Sequence, residues 1–137
     1  MIPVGCLPLV ITLLGFGNNQ CIASINHLAT AFNQKLIVTS EFLNNTLPGL
    51  RLLVLDFYTP YFDIITRPAI YGFSESRRAC CGTGLYEASI ICNLNSNSLG
   101  ICSNASKYVF WDASHPSQDA SKIMAINLFE QGKSLIP

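Results

Sequence analysis

The chain has 137 residues, 50% of them apolar and 12% charged, with 8 basic and 8 acidic side chains that cancel to zero formal charge, and its mean hydropathy is +0.36. An ordinary soluble domain is about 25% charged, so this composition suits one domain at most, with much of its length buried. It excludes disorder, because a chain this rich in Ile, Leu, Val and Phe collapses, and it excludes nucleic-acid binding, because no basic cluster exceeds Arg77-Arg78.

Met1 to Gln34 contain no Asp, Glu, Lys or Arg. The likeness to an export signal is superficial: there is no basic n-region, Pro3 and Pro8 interrupt the start, and Leu9 to Phe16 ends without a small-residue cleavage site. That run is also too short for a transmembrane span, which takes ~20 apolar residues. Any export signal is therefore expected upstream of Met1. Met1 to Val4 reads as the tail of a strand, followed by a Gly5 to Asn19 loop punctuated by Pro8, Gly15 and Gly17. A helix is expected from about Gln20 to Leu43, with Asn18 or Asn19 as N-cap. Cys21, Ile25, Leu28, Ala29, Phe32 and Leu36 recur at three- and four-residue steps, which predicts one buried stripe.

Leu47-Pro48-Gly49 ends that pattern, and Leu50 to Phe57 is apolar almost without alternation, as in a strand covered on both faces. Strand, helix, strand predicts a right-handed βαβ unit. Two strands cannot complete a doubly wound sheet, so the sheet reads as cut through, with an unpaired edge on the Met1 to Val4 side. A short helix from Pro60 to Thr66 comes next, then a stretch of little periodicity from Arg67 to Lys107 that includes the polar segment Asn93 to Ser98. Loops this long are functional or stapled. Tyr108 to Trp111 is a short apolar segment. Ser117 caps a final helix to about Gln131, with Ala120, Ile123, Met124 and Leu128 on one face. The fold class is α/β.

Six cysteines, at positions 6, 21, 80, 81, 92 and 102, form an even set without zinc-site spacing. Disulfides fit them better, and the N-x-[ST] sequons at Asn44 and Asn104 agree with an extracellular, secreted protein. Proximity pairs Cys6 with Cys21. Cys80 and Cys81 then each take one of Cys92 and Cys102, in an order the sequence leaves open. Gly82-Thr83-Gly84 is too short for a phosphate loop and reads as a turn.

Only two histidines exist. His27 lies beside the helical stripe and takes a packing or solvent role. His115 lies in Trp111-Asp112-Ala113-Ser114-His115-Pro116, between an apolar segment and a helix cap. An Asp three residues before a His can accept its Nδ1 proton, fix the tautomer and leave Nε2 for a nucleophile. The competing reading is a surface turn in which Asp112 and Ser114 satisfy local amides. Ser114 itself is a poor nucleophile candidate, because adjacent side chains generally diverge.

Taken together, Val4-Gly5-Cys6-Leu7-Pro8, Asn26, Phe32 to Leu36, Asp56-Phe57-Tyr58, Pro68, Tyr71-Gly72-Phe73, Cys80-Cys81-Gly82-Thr83-Gly84, Cys92-Asn93, Tyr108 to Asp112 and His115-Pro116 resemble the plant GDSL esterase/lipase family of the SGNH hydrolase superfamily. The Cys80 to Gly84 segment is closest to its extracellular, EXL-like branch. The resemblance implies the C-terminal portion of a single flavodoxin-like, three-layer α/β/α domain with a truncated parallel sheet. It further implies lipid or small-ester hydrolysis by a Ser-His-Asp triad, with neither metal nor organic cofactor, in which His115 is the general base and Asp112 its orienting partner. The family's nucleophile lies in a Gly-Asp-Ser motif, and a Gly and an Asn complete its oxyanion hole. Residues 1–137 contain no Gly-Asp-Ser and no Gly-x-Asn-Asp before Val4. The expectation is a chain that is inactive alone, an ester or lipid being the substrate of the full-length protein; the rival expectation is a noncatalytic secreted remnant or binding protein.

Overall fold

The computed structural model describes residues 1–89, 91–92 and 100–135; the polar segment Asn93 to Ser98 lies outside the described residues. Helices α1 (Pro8–Leu14), α2 (Ala23–Thr46), α3 (Tyr58–Thr66) and α4 (Gln118–Gly132) accompany two strands, β1 (Glu75–Ala79) and β2 (Tyr108–Phe110). The strands are parallel, with Glu75 opposite Tyr108 and Ala79 opposite Phe110. α1 and α3 pack against β1, and α4 packs against β2. This is the expected α/β class with a short parallel sheet.

The core follows from spacing. Tyr61, Ile64 and Ile65 share one face of α3, Ala120 and Met124 share one face of α4, and both faces close on Val109 and Phe110 of β2. The Tyr61 ring stands edge-on to Phe110 and to Phe57, at 6.0 Å between centroids in each pair. Ser117 caps α4 as expected, its hydroxyl accepting from the Ala120 amide at 3.2 Å. α3 starts at Tyr58, earlier than expected, because an Asp56 carboxylate oxygen accepts from the Tyr58 and Thr59 amides at 2.9 and 3.1 Å.

Several expectations fail. Met1 to Val4 is not a strand: Val4–Cys6 forms a 3-10 turn, and α1 occupies what was read as loop. Pro8 sits at the start of α1, where its missing N–H breaks no helical bond, so it initiates rather than interrupts. α2 begins at Ala23 behind Ile22, without a side-chain cap from Asn18 or Asn19. Its apolar stripe is largely uncovered, with Leu28 69% and Phe32 51% exposed and Leu36 also exposed, while Asn26 and Ala29 are the buried positions. Its first turns pack against the Val4–Cys6 turn, and farther along Asn33 bonds the main chain of Met1.

Leu50 to Phe57 forms no strand, so the expected βαβ unit is not present among the described residues. An extended run gains backbone hydrogen bonds only from a neighbouring strand, and none lies beside it among the described residues. Leu52, Leu53 and Leu55 are exposed. Side chains hold the segment instead: the Asn44 carboxamide gives and receives bonds of 2.7 Å with the main chain of Leu52, and Gln131 does the same for Asp56 at 3.0 and 2.7 Å. Among the described residues, no helix is long and apolar enough to cross a membrane.

Three disulfides join Cys6 to Cys21, Cys80 to Cys102 and Cys81 to Cys92. The first is the expected pair, and the other two settle the order that the sequence left open.

Candidate active site

The segment Trp111 to Pro116 leaves β2 and returns on itself before α4. The Trp111 amide donates to the His115 carbonyl at 3.0 Å, and the Ser117 amide donates to the Val109 carbonyl at 2.8 Å. Three other parts of the chain hold this turn from outside. Leu9 at the start of α1 donates to the Ala113 carbonyl at 3.0 Å, Ala113 donates to the Glu87 carbonyl at 2.8 Å, and Cys81 donates to the Trp111 carbonyl at 2.9 Å. Buried main-chain groups must be paired, and here the pairing fixes the turn's position.

Asp112 is the hub of the turn, its side chain only 3% exposed. One carboxylate oxygen accepts from the Ser114 and His115 amides at 2.9 and 2.8 Å, and the other accepts from the Ser89 amide at 2.8 Å. His115 Nδ1 lies 2.8 and 2.9 Å from the two oxygens. Burial acts to raise the Asp112 pKa, but the amides of Ser114 and Ser89 and the His115 contacts outweigh it and hold the carboxyl below the usual carboxylate range. An ionised Asp112 keeps the imidazole proton on Nδ1, which leaves a lone pair on Nε2. The His115 side chain is 56% exposed, and among the described residues no protein group bonds Nε2. The arrangement can take a proton at Nε2 and stabilise the imidazolium that results.

Both sequence readings of this turn therefore describe the same atoms: Asp112 satisfies local amides and also orients His115. Ser114 does not diverge as expected. Its hydroxyl lies 3.1 Å from His115 Nδ1 and 3.2 Å from Asp112. It meets the nitrogen that Asp112 already occupies, so it cannot surrender a proton to Nε2. His27 is exposed on α2, in keeping with a solvent role. All six cysteines are disulfide-bonded, and among the described residues no group of three or more His, Cys, Asp or Glu could hold a metal ion.

Sequence reasoning missed two neighbours. Ser89 contributes a main-chain amide, which no side-chain motif announces. Tyr61 is buried with its hydroxyl unpaired among the described residues; burial first, and then the charge of Asp112, push its phenol well up. The Gly82-Thr83-Gly84 turn is as expected. Both glycines have positive φ, and a Cβ at Gly84 would come within 2.5 Å of the Ala79 carbonyl oxygen.

Comparison with known proteins places these residues in a family. The profile of the GDSL-like lipase/acylhydrolase family matches residues 1–128. The Arabidopsis thaliana protein named GDSL esterase/lipase At5g03810 is 53% identical over 135 residues, covering 98% of this chain and 38% of the relative. GDSL esterase/lipase At5g22810 is 52% identical over 98% of this chain and 36% of its own length, and GDSL esterase/lipase EXL3 is 40% identical over 89% and 33%; both are from the same plant. The chain thus spans about a third of the length of these relatives. On the profile match, it belongs to the GDSL-like lipase/acylhydrolase family.

Proposed function

We propose that this chain is the C-terminal, base-bearing portion of a GDSL ester hydrolase domain, with His115 as general base and Asp112 as its orienting acid. The observation that carries the reading is the pairing of His115 Nδ1 with a buried, ionised Asp112, with Nε2 left unbonded among the described residues. In the complete site, Nε2 takes the proton of a serine hydroxyl as that oxygen attacks the ester carbonyl, and later returns it to the leaving alcohol. The serine and the oxyanion donors belong to a Gly-Asp-Ser-bearing part that residues 1–137 do not contain. The chain alone is therefore inactive. The test is hydrolysis of a short-chain chromogenic ester by the 137-residue protein and by its His115→Ala variant. Equal background rates are expected, and turnover that the variant loses would overturn the claim of inactivity.

The substrate class is a lipid or small ester, as the names of the relatives imply, and the protein is extracellular, as three disulfides favour. Of the two sequons, Asn104 is the one that carries glycan. It is exposed, and among the described residues its side-chain nitrogen bonds no protein group while its oxygen accepts from the Ser106 amide at 3.1 Å. Asn44 is committed at both ends to Leu52. A substituted amide prefers the trans arrangement, and that puts a sugar on the side where the Leu52 carbonyl is bound. Peptide mapping of the secreted protein should find glycan at Asn104 and none at Asn44; the reverse pattern would refute the assignment. The remnant reading draws on no comparable observation.

A further inference from the structure

We propose that the loop closed by the Cys81–Cys92 disulfide is a positioning device for Asp112, acting through the Ser89 main-chain amide. The inference rests on the Asp112–His115 reading above and adds to it a part that no side-chain motif identifies. Three bonds tie the closed loop to three successive residues of the site turn. Cys81 donates to the Trp111 carbonyl, Ser89 donates to the Asp112 carboxylate, and Glu87 accepts from the Ala113 amide, at 2.9, 2.8 and 2.8 Å. The disulfide joins Cys81, the first of these attachments, to Cys92, which lies beyond the last of them, Ser89, and both cysteines are buried.

Inside the loop, the Glu87 carboxylate accepts from the Thr83 hydroxyl at 2.8 Å and from the Tyr86 amide at 3.4 Å, which stiffens the chain approaching Ser89. Ser89 itself has φ of 51°, a left-handed conformation unusual for a residue other than glycine. The bond it gives to Asp112 is made by the main chain, so the serine side chain is not what matters. Without this amide, one oxygen of Asp112 would have only the imidazole as donor among the described residues, because the Ser114 and His115 amides both meet the other oxygen. The Ser89 amide thus sets which way the carboxylate faces, and through it the His115 ring. The titratable groups facing Asp112 are His115 from its own turn and Tyr61 from α3; no lysine or arginine bonds it among the described residues.

The experiment follows the Ser89 amide by NMR in the oxidised, isotopically labelled 137-residue chain as Asp112 is titrated. The Ser89 amide proton is expected to shift with Asp112 protonation, and that response is expected to vanish in Asp112→Asn with the disulfide intact. In Cys81→Ala/Cys92→Ala the response should be lost and the Asp112 midpoint should rise. Removing Cys6–Cys21 by the same double substitution should leave both as they were. The proposal is overturned if Ser89 ignores Asp112 in the intact chain, or if the Cys81–Cys92 variant leaves the Asp112 midpoint unchanged. Should that variant fail to fold, the comparison of the intact chain with Asp112→Asn decides the matter. None of these readouts needs ester turnover, so turnover by the 137-residue chain that His115→Ala abolishes, with this response intact, would count against the functional reading alone.

Discussion

Around Asp112, two disulfides and a set of main-chain bonds hold a buried carboxylate against an imidazole, whereas from Leu28 to Leu55 large apolar side chains stand in solvent. The difference is one of where the partners come from. Apart from the Leu9 amide, the site turn finds its hydrogen-bond partners among the described residues within residues 79 to 117, a span that two short crosslinks already shorten. α2 and the segment after it present a helical stripe and an extended apolar run, both of which need a neighbour of more distant origin. On the proposed reading, that neighbour is the remainder of the family domain, and the chain's coverage of 36–38% of At5g22810 and At5g03810 leaves ample length for it.

Paired substitutions sharpen the comparison. Phe110 is fully buried in the core and Phe32 is half exposed on α2. Phe110→Ala should destabilise the chain by about 3–5 kcal/mol, and Phe32→Ala by under about 1 kcal/mol, both read from urea unfolding. Equal costs would show that α2 is packed in solution. Removing Cys6–Cys21, which spans 15 residues, should cost about 3 kcal/mol in the same assay, because it ties the start of α2 to the turn before α1.

A smaller effect is expected from acid. The folded Asp112 pKa lies below its ordinary value, so the stability it contributes is fully present above about pH 3.9, the unfolded value. That contribution disappears as pH falls through the lowered folded value. The unfolding midpoint of the wild-type chain should therefore drop more steeply over that window than that of Asp112→Asn; parallel curves would mean that Asp112 is not held as described. The smallest effect concerns the exposed arm. Asn44→Ala should cost about 1 kcal/mol and free the Leu52 amide to exchange rapidly with solvent, whereas unaltered exchange would remove the clasp from the account.

What the sequence disclosed follows the same division. α4, its Ser117 cap and the Cys6–Cys21 pair are local features, and they stand as spacing predicts. Asp112 and His115 are three residues apart, and their contact was legible for the same reason. β1 was not, because Glu-Ser-Arg-Arg-Ala buries the small residues Ser76 and Ala79 and carries no apolar run. The Leu50 to Phe57 run has the composition of an interior strand, yet composition supplies no pairing partner, and the segment joins no strand among the described residues. The Ser89 amide was invisible because a main-chain donor is chosen by geometry, and any residue but proline could offer it.

The most direct test of the central claim joins these 137 residues to the Gly-Asp-Ser-bearing part of a family member and follows turnover of a short-chain ester with and without His115→Ala. The account predicts turnover in the joined protein, background rates from the 137-residue chain alone, and a loss of about 10⁴-fold or more in the joined variant. Turnover that survives His115→Ala would contradict it.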